Sequence, residues 1–399
     1  MKNFILIIGF LFSSIAVQSQ LSDQSKVYLL TCDVGDEIYE QFGHSAIRIL
    51  DPINGIDQCY NWGMFEFGED EFEFNMKFAK GSLDYFMAVE PLEYFLYPYQ
   101  VTKREVIQQE LNLTLELKNK LWNLLIENAK PENKYYRYDF FFDNCATRIS
   151  DFLKLLLEDK LVLADLPEVT KQTYRADINH SFENFPWTSF GIDLVLGYKI
   201  DVKMGDKGVM FSPLYMAQIF EFSQIKTDAG LQNLVLTSEV IVSGIKRDES
   251  HDVVFTPLVV TIVILVITIL LSFFKLNVVF KVWSSLLFLF LGILGCLLLF
   301  MWFGTEHIAT KGNLNLIWAN PLLLLLVVLN WFQKINEKLS KTYLVIAFVF
   351  FGLILFFMML PQSFPAASRV LIINLALQFY ILHKMSKTSV NNQDKSIIA

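Results

Sequence analysis

A cysteine directly after a pair of helix-capping residues is the side chain best suited to covalent chemistry in this sequence. The run from Tyr138 to Asp151 begins with aromatic residues. Asp143-Asn144 follow them, and Cys145 comes directly after this pair. Apolar residues then recur at helical spacing from Ile149 to Leu156, so Cys145 is predicted on the first turn of a helix. Unpaired backbone N–H groups and the helix dipole favour a thiolate there. The pattern predicts a nucleophile suited to attack on a carbonyl carbon.

A histidine at the beginning of a predicted strand is the matching candidate for a general base. His44 lies in the segment Gln41 to Ala46, directly after Gly43. Because glycine permits a tight approach of the backbone, this context suits a base beside a helix-borne thiol. Taken singly, Cys145 also fits a buried structural cysteine, and His44 fits a structural histidine with satisfied hydrogen bonds.

A third group is needed to orient the histidine. Asn54-Gly55 is typical of a hairpin turn, and pairing across it places Asn61 on the same strand face as His44 and Arg48. Asn61 is therefore our candidate for the third catalytic group. A polar residue that caps a strand or a turn is the alternative interpretation of Asn61.

Charge and spacing exclude two classes of function. The formal net charge of −8 leaves no basic surface, so no nucleic-acid partner is expected. Spacings such as His-x-x-x-His or Cys-x-x-Cys do not occur in the sequence, so we expect neither a metal site nor a cofactor.

The composition indicates a membrane protein with an exported N-terminal domain. The chain has 399 residues, of which 53% are hydrophobic, and this is too apolar for an ordinary soluble protein. Residues 1–19 are typical of a signal peptide, with Lys2 before an apolar stretch from Phe4 to Val17, although an uncleaved anchor is the alternative. Residues 20–252 then have the mixed composition of a globular domain.

Local patterns in that domain predict an α+β fold, with strands early in the chain and the cysteine helix behind them. The predicted strands are Lys26 to Thr31, His44 to Leu50 and Gln58 to Phe67. The predicted helices are Leu115 to Ala129, Asn144 to Leu161 and Ser212 to Phe222.

Residues 253–385 are predicted to form a transmembrane domain, and residues 386–399 a cytoplasmic tail. Each of five apolar stretches is close to the ~20 residues that cross a bilayer core. Lysines cluster in every second loop between the spans and in the tail. The positive-inside rule places these loops in the cytoplasm, so the domain at 20–252 is predicted on the outside. The expected spans lie near residues 253–274, 282–303, 314–332, 342–360 and 366–383.

Several motifs spread over nearly the whole chain carry a family resemblance. The sequence resembles the Lnb-type lipoprotein N-acyltransferases of Bacteroidota, and the order of His before Cys is similar to circularly permuted papain-like enzymes such as lecithin retinol acyltransferase. The motifs are Leu29 to Cys32, Gly43 to Arg48, Tyr60 to Phe65, Tyr138 to Arg148, Pro186-Trp187, Leu196-Gly197, Gly304 to His307 and Asn315 to Leu322.

The resemblance implies a fold, a reaction and a location. The fold would be a permuted papain-like α+β domain in the periplasm, followed by five helices in the inner membrane. Cys145, deprotonated by His44, would take a fatty acyl group from a phospholipid as a thioester. The α-amino group of the diacylglyceryl-cysteine at a lipoprotein N-terminus would then accept that acyl group.

Four further residues are candidates for contact with these lipid substrates. Arg48 and Arg148 are suited to hold a lipid phosphate, although a solvated or ion-paired arginine is the alternative. Glu306 and His307 follow a predicted span on the exported side and are expected at the head-group entrance, with interfacial solvation as the alternative.

The sequence leaves two other classes of function open, and it does not show whether one pair of cysteines forms a disulfide. The same Cys and His would serve a membrane-tethered cysteine peptidase or amidase that acts on peptidoglycan, and a non-enzymatic sensor or scaffold needs Cys145 only as a structural residue. Cys32 and Cys59 fit either a disulfide or two free thiols, while Cys296 within a predicted span is expected to be apolar filling.

Overall fold

The computed structural model describes residues 20–37, 40–66, 70–245, 254–332 and 337–398. The predicted signal peptide at 1–19 and the predicted domain boundary at 252 and 253 lie outside these residues. Strands in the described part are β1 (Lys26–Cys32), β2 (His44–Asp51), β3 (Ile56–Met64), β4 (Asp84–Pro91), β5 (Val106–Leu111), β6 (Tyr135–Arg137), β7 (Leu161–Val162), β8 (Gln224–Thr227), β9 (Gly230–Asn233) and β10 (Val235–Val242).

Helices in the same ranges divide into those before residue 245 and those after residue 254. The first group is α1 (Glu71–Lys80), α2 (Leu92–Thr102), α3 (Leu115–Ala129), α4 (Cys145–Leu157), α5 (Pro167–Thr170), α6 (Tyr174–Ser181), α7 (Pro186–Val195), α8 (Gly205–Gly208) and α9 (Pro213–Phe222). The second group is α10 (Pro257–Phe273), α11 (Asn277–Phe303), α12 (Leu322–Phe332), α13 (Glu337–Phe356) and α14 (Ala366–Ile398).

One antiparallel sheet organises the N-terminal domain, in the order β10-β5-β1-β2-β3-β4-β6. Side chains on β2 alternate between its two faces, as expected for a strand buried on both sides. Ile47 and Ile49 pack into the main core with α3, α4 and α9, whereas Ala46 packs on the opposite face with residues of α2. The helix that begins with Cys145 therefore lies on one face of the sheet, and α2 covers the other.

Local sequence signals predicted most elements around the cysteine and the histidine. The first two strands and the helix at Leu115–Ala129 are confirmed to within one residue at each end. The cysteine helix ends at Leu157, four residues earlier than expected, because Glu158 has a positive φ of 49° and begins a 3₁₀ turn. The third strand ends at Met64, and the last residue predicted for it, Phe67, lies outside the described residues.

The C-terminal part is helical, and four helical segments among the described residues are long and apolar enough to cross a membrane. The first predicted span is shorter, since α10 has 17 residues and lies at the lower limit for a bilayer crossing. Helix α14 continues to Ile398, through the segment predicted as a tail. The four long segments are Asn277–Phe303, Ile308–Trp331, Lys338–Met359 and Ala366–Thr388.

The segment Ile308–Trp331 differs from a continuous helix in its first half. Ile308–Thr310 and Leu314–Ile317 are 3₁₀ turns, and the α-helix begins only at Leu322. Polar side chains satisfy the backbone there, as Asn320 Oδ1 accepts a hydrogen bond from the Leu322 N–H at 2.9 Å. This irregular segment is where the two parts of the protein meet.

Helix α7 ends against that irregular segment. The amide Nδ2 atoms of Asn313 and Asn315 donate to the Leu194 carbonyl at 2.7 and 3.1 Å, so they occupy a carbonyl that the helix end leaves free. The Gly197 N–H donates to the Ala309 carbonyl at 2.8 Å. A Cβ at Gly197 would lie only 2.1 Å from the Lys311 carbonyl oxygen, so this close approach requires glycine.

A buried ion network supports the same contact. Arg175 on α6 is 2% exposed and pairs with Asp193 at 2.7 Å and with Asp201 at 2.9 Å. Asp201 Oδ1 also accepts from the Ser363 N–H at 3.0 Å, which connects the network to the loop before α14. Removing the guanidinium would leave two buried carboxylates without a cation.

We therefore expect Arg175→Ala to destabilise the protein strongly, by about 3–5 kcal/mol, the usual cost of breaking a buried ion pair. The apparent unfolding temperature of the full chain in detergent would show this loss. Lys120→Ala is the matched control, since Lys120 is 51% exposed and 3.6 Å from Glu158. Equal unfolding temperatures for the two variants would contradict the prediction.

Candidate active site

Asn144 fixes the start of the cysteine helix. Its Oδ1 accepts hydrogen bonds from the N–H groups of Ala146 and Thr147, both at 2.9 Å, while Thr147 Oγ1 accepts from the Asn144 N–H at 2.7 Å. This reciprocal capping makes Cys145 the first helical residue. Asn144 Nδ2 donates to the carbonyls of Phe140 and Phe211, both at 2.8 Å, so the cap is itself held on two sides.

A chain of side chains on β2, β3 and β4 fixes the tautomer of His44. Asn61 Oδ1 lies 2.6 Å from His44 Nε2, and Asn61 Nδ2 donates to Glu90 Oε1 at 3.0 Å. Because a carboxylate only accepts, the Asn61 amide nitrogen must face Glu90 and its oxygen must face His44. His44 Nε2 therefore carries a proton, and Nδ1 is the nitrogen left for the thiol of Cys145.

Cys145 and His44 shift each other's pKa toward an ion pair. Burial raises the pKa of the Cys145 thiol, but the His44 charge, a hydrogen bond with His44, and the N–H groups of Ser45 and Ala146 together bring that pKa below its ordinary value. Burial lowers the pKa of His44, whereas Cys145 and the Asn61 hydrogen bond raise it above its ordinary value overall. The pair thus favours thiolate and imidazolium.

Cys145 and His44 open into one cavity of about 290 Å³. Gly63 lies beside it with a φ of 91°, and a Cβ there would be 3.8 Å from both the His44 and the Tyr138 rings. The polar side chains in its lining include His44, Asn144, Cys145 and His307, the last of which belongs to the C-terminal part. Its apolar lining includes Phe65, Phe78, Leu83, Tyr85, Tyr138 and Phe140.

One of the four predicted substrate-contacting residues, His307, lines this cavity, and a second, Glu306, precedes it in the chain. His307 hydrogen-bonds through Nε2 to the Ala79 carbonyl at 3.2 Å. Glu306 lies beside it, with its backbone N–H donating to the Lys80 carbonyl at 2.7 Å and its carboxylate 3.9 Å from Arg137. The loop after α11 therefore reaches the wall of the cavity.

The two arginines predicted to hold a lipid phosphate lie outside the cavity lining. Arg48 pairs with Asp57 through two hydrogen bonds of 2.7 and 2.9 Å. Arg148 pairs with Asp143 in the same two-pronged way, at 2.5 and 2.7 Å, and covers the ring of Tyr136. Since carboxylates already occupy both guanidinium groups, the geometry does not favour a phosphate-binding role for either.

The other cysteines are separate from the site chemistry. Cys32 and Cys59 are free and buried, so the disulfide alternative is not formed. Cys32 on β1 lies opposite His44, and Cys59 on β3 lies opposite Arg48. Strand β2 therefore separates the two cysteines in the sheet. Burial raises the pKa of Cys32 to about 12, so it is a poor nucleophile. Cys296 is free and exposed on the surface of α11.

Sequence reasoning missed Glu90, which orients Asn61. Glu90 lies on β4 opposite Cys59, two residues from the position opposite Asn61. The one signal for it was a lone carboxylate at the end of an apolar run, Tyr85 to Val89. That signal does not reveal its partner, because the contact depends on the pairing of β3 with β4.

Comparison with models of protein families identifies the family of the chain. Residues 14–177 match the model of the Lnb N-terminal periplasmic domain. Residues 248–389 match the model of the Lnb transmembrane domain. The chain belongs to the Lnb family. The predicted family resemblance is thus confirmed, and the first match contains the histidine, the asparagine and the cysteine of the candidate site.

Family membership identifies a lipoprotein N-acyltransferase-like membrane protein with a periplasmic domain. No curated protein and no solved structure is a match for the chain. The permuted papain-like topology therefore stays a prediction, and so does the role of each Lnb site residue.

We expect Cys145 to alkylate with iodoacetamide at pH values where an ordinary thiol, with a pKa of about 8.5, is protonated. His44→Ala removes the charge that lowers the thiol pKa and leaves burial, which raises it. The alkylation rate at neutral pH should then fall by roughly tenfold or more. Rates are measured by intact mass across pH.

The alkylation experiment uses a Cys296→Ser background, because Cys296 is the exposed cysteine among the described residues, whereas Cys32, Cys59 and Cys145 are buried. A wild-type Cys145 that titrates at or above the ordinary thiol pKa would contradict the ion pair. Equal pH profiles with and without His44 would do the same.

Proposed function

We propose that this Lnb protein transfers a fatty acyl group from a phospholipid to a lipoprotein N-terminus through a thioester on Cys145. His44 is the general base and acid, and Asn61 is the residue that positions His44. The donor and the diacylated lipoprotein acceptor are both anchored in the bacterial inner membrane. A catalytic domain on its periplasmic face meets both substrates at one interface.

The observation that carries the proposal is the surroundings of the nucleophile. Cys145 opens into a cavity with a mainly aromatic and apolar lining, and His307 from the membrane part lies on the cavity wall. An acyl chain gains free energy from such a lining, roughly 0.8 kcal/mol for each buried CH₂ group. A polar peptidoglycan peptide gains little there, so the geometry favours a lipid substrate over the hydrolase alternative.

In the first half-reaction, the thiolate of Cys145 attacks the carbonyl carbon of a phospholipid ester. A C–S bond forms, the ester C–O bond breaks, and the imidazolium of His44 gives its proton to the leaving alkoxide of the lysophospholipid. The first-turn N–H of Cys145 is the expected donor to the oxyanion, as at other helix N-termini. The enzyme then holds the acyl group as a thioester.

In the second half-reaction, the neutral α-amino group of the lipoprotein cysteine attacks the thioester carbonyl. A C–N bond forms, the C–S bond breaks, and His44 takes the proton that the amine loses. The products are the N-acylated lipoprotein and the thiolate of Cys145 beside an imidazolium. A thiolate leaves readily, so a thioester suits an amine acceptor.

Exposure of the full chain to phospholipid in detergent, without acceptor, should add one fatty-acyl mass that hydroxylamine removes. The adduct should be absent from Cys145→Ser and present in Cys296→Ser, the matched cysteine control. A synthetic diacylated lipopeptide with a free α-amine should then remove the adduct and gain an amide-linked chain. Intact mass spectrometry measures both steps.

Three outcomes would contradict the transferase. An N-acetylated lipopeptide that accepts the chain equally well would exclude the amine as acceptor. Absence of any adduct on folded wild type would exclude the thioester. Cleavage of muropeptides by wild type but not by Cys145→Ser would instead support the peptidoglycan hydrolase.

Asn61→Ala should lower the rate of Cys145 acylation by roughly ten- to a hundredfold, because His44 loses the partner that fixes its tautomer. The pH profile should also narrow. The Asn61 hydrogen bond raises the pKa of His44, so its loss moves the basic limb to lower pH. The imidazolium form of His44 is then less stable, so it lowers the pKa of Cys145 by less. The acid limb of the profile therefore moves to higher pH.

The matched control for this variant is Gln58→Ala, which removes an exposed amide from the same strand. A lower rate with an unchanged pH profile in Asn61→Ala would indicate a merely structural role.

A further inference from the structure

The short helix α1 forms one wall of the cavity and also carries exposed aromatic side chains. Phe78 lines the cavity and is 53% exposed, and Phe72, six residues earlier on the same helix, is 74% exposed. Contiguous exposed apolar patches, unlike single exposed residues, mark contacts with proteins or membranes. Phe78 lies at the rim of an apolar cavity and Phe72 is exposed on the same helix, so α1 is a candidate for such a contact.

The end of α1 is attached to the end of a membrane span. The backbone N–H of Glu306 donates to the Lys80 carbonyl at 2.7 Å, and His307 Nε2 donates to the Ala79 carbonyl at 3.2 Å. These groups complete the C-terminal turn of α1. A Cβ at Gly81 would be 3.1 Å from the His307 ring, so this close contact favours glycine.

The span that precedes this attachment marks the level of the bilayer surface. Helix α11 ends at Phe303, which is 73% exposed and stacks on Trp302 with ring centroids 5.1 Å apart. Aromatic pairs at span ends are typical of the membrane–water interface. Glu306 follows Phe303 by three residues, so the C-terminal turn of α1 lies within a few residues of that interface.

The residues of α1 are arranged as in helices that lie in a membrane surface. At 100° per residue, Glu73, Lys77 and Lys80 lie within about 60° of one another, whereas Phe72 and Phe78 flank Asn75 on the opposite side, which Glu71 of the first turn also shares. Glu73 and Lys77 pair at 2.7 Å on the charged side. Aromatic residues opposite lysines at this level suit burial in acyl chains below phosphate groups.

We propose that α1 lies in the periplasmic leaflet of the bilayer and forms the entrance through which a phospholipid acyl chain reaches Cys145. This inference rests on the proposed function and adds the route of the donor lipid. Phe72 and Phe78 contact the acyl region, and the charged side of α1 faces the head groups. The hydrogen bonds to Glu306 and His307 hold the helix at that depth.

Aromatic contacts connect this entrance with the nucleophile. Phe65 lies between α1 and the cavity, with its ring 5.7 Å from Phe74 of α1 and 5.4 Å from Tyr85. The Tyr85 ring stacks on Tyr138 at 4.5 Å. Phe65, Tyr85 and Tyr138 all line the cavity that holds Cys145. An acyl chain that enters beside Phe78 therefore follows an apolar wall to the thiol.

Spin-label depth measurements on the full chain in phospholipid vesicles test the position of α1. A nitroxide is attached at Asn75→Cys, between Phe72 and Phe78 on the exposed side, in a Cys145→Ser and Cys296→Ser background. The label should collide more with oxygen than with a water-soluble nickel chelate. Ile53→Cys is the control, because Ile53 is 63% exposed beyond the far end of β2, about 23 Å along the strand from His44.

The control label at position 53 should favour the nickel chelate. The same preference at position 75 would mean that water or a soluble partner covers α1, and it would overturn the proposal. This measurement involves no acyl transfer, so its result is independent of whether Cys145 forms a thioester.

Acylation of Cys145 from two donors tests the route. Phe72→Asp should slow acylation by bilayer phospholipid by roughly tenfold, the effect expected when one phenylalanine no longer enters an apolar phase. Acylation by water-soluble p-nitrophenyl butyrate should not change, and Ile53→Asp should match wild type with both donors. Equal slowing with both donors would overturn the route. Failure of wild type with both donors would refute the proposed function instead, and the depth of α1 would still be measured separately.

Discussion

The hydrogen bond between His44 and Asn61 is the contact on which the rest of the site depends. Glu90 accepts from the Asn61 amide nitrogen, so the amide oxygen is left for His44 Nε2. That orientation leaves Nδ1 as the only ring nitrogen for Cys145. A carboxylate on β4 therefore decides which nitrogen on β2 meets a thiol on α4. The sheet must hold three neighbouring strands in register for the pair to work.

Burial and charge act against each other at Cys145. An apolar cavity suits an acyl chain, but the same burial raises the pKa of an isolated thiol, as it does for Cys32. At Cys145 the imidazolium of His44 and the N–H groups of Ser45 and Ala146 outweigh this effect. The helix start contributes to this effect through the Ala146 N–H, a backbone group that stabilises a thiolate in an apolar surrounding.

The sequence alone predicted the parts of the site that local signals encode. Asn144 is a strong cap, so the position of Cys145 at a helix start followed from its neighbours, and the Asn54-Gly55 turn set the pairing that brings Asn61 to His44. Glu90 was missed because its contact depends on the register in which β3 pairs with β4, and α1 separates these two strands in the chain. The carboxylate partners of the two arginines are local, Asp143 five residues before Arg148 and Asp57 across the β2–β3 hairpin from Arg48, and the phosphate-binding prediction did not take these neighbours into account.

Two helix ends in the periplasmic domain are completed by one segment of the membrane domain. Asn313 and Asn315 occupy the last carbonyls of α7, and the loop at Glu306 and His307 occupies those of α1. Backbone carbonyls at a helix end need partners wherever water is scarce, so both docking contacts also satisfy the helices they hold. Because the contacts are direct hydrogen bonds to backbone, they hold the periplasmic domain against the end of α11 and the irregular segment that follows it. The proposed reaction on membrane lipids requires the cavity to stay close to the bilayer, and the contacts at these two helix ends supply that attachment.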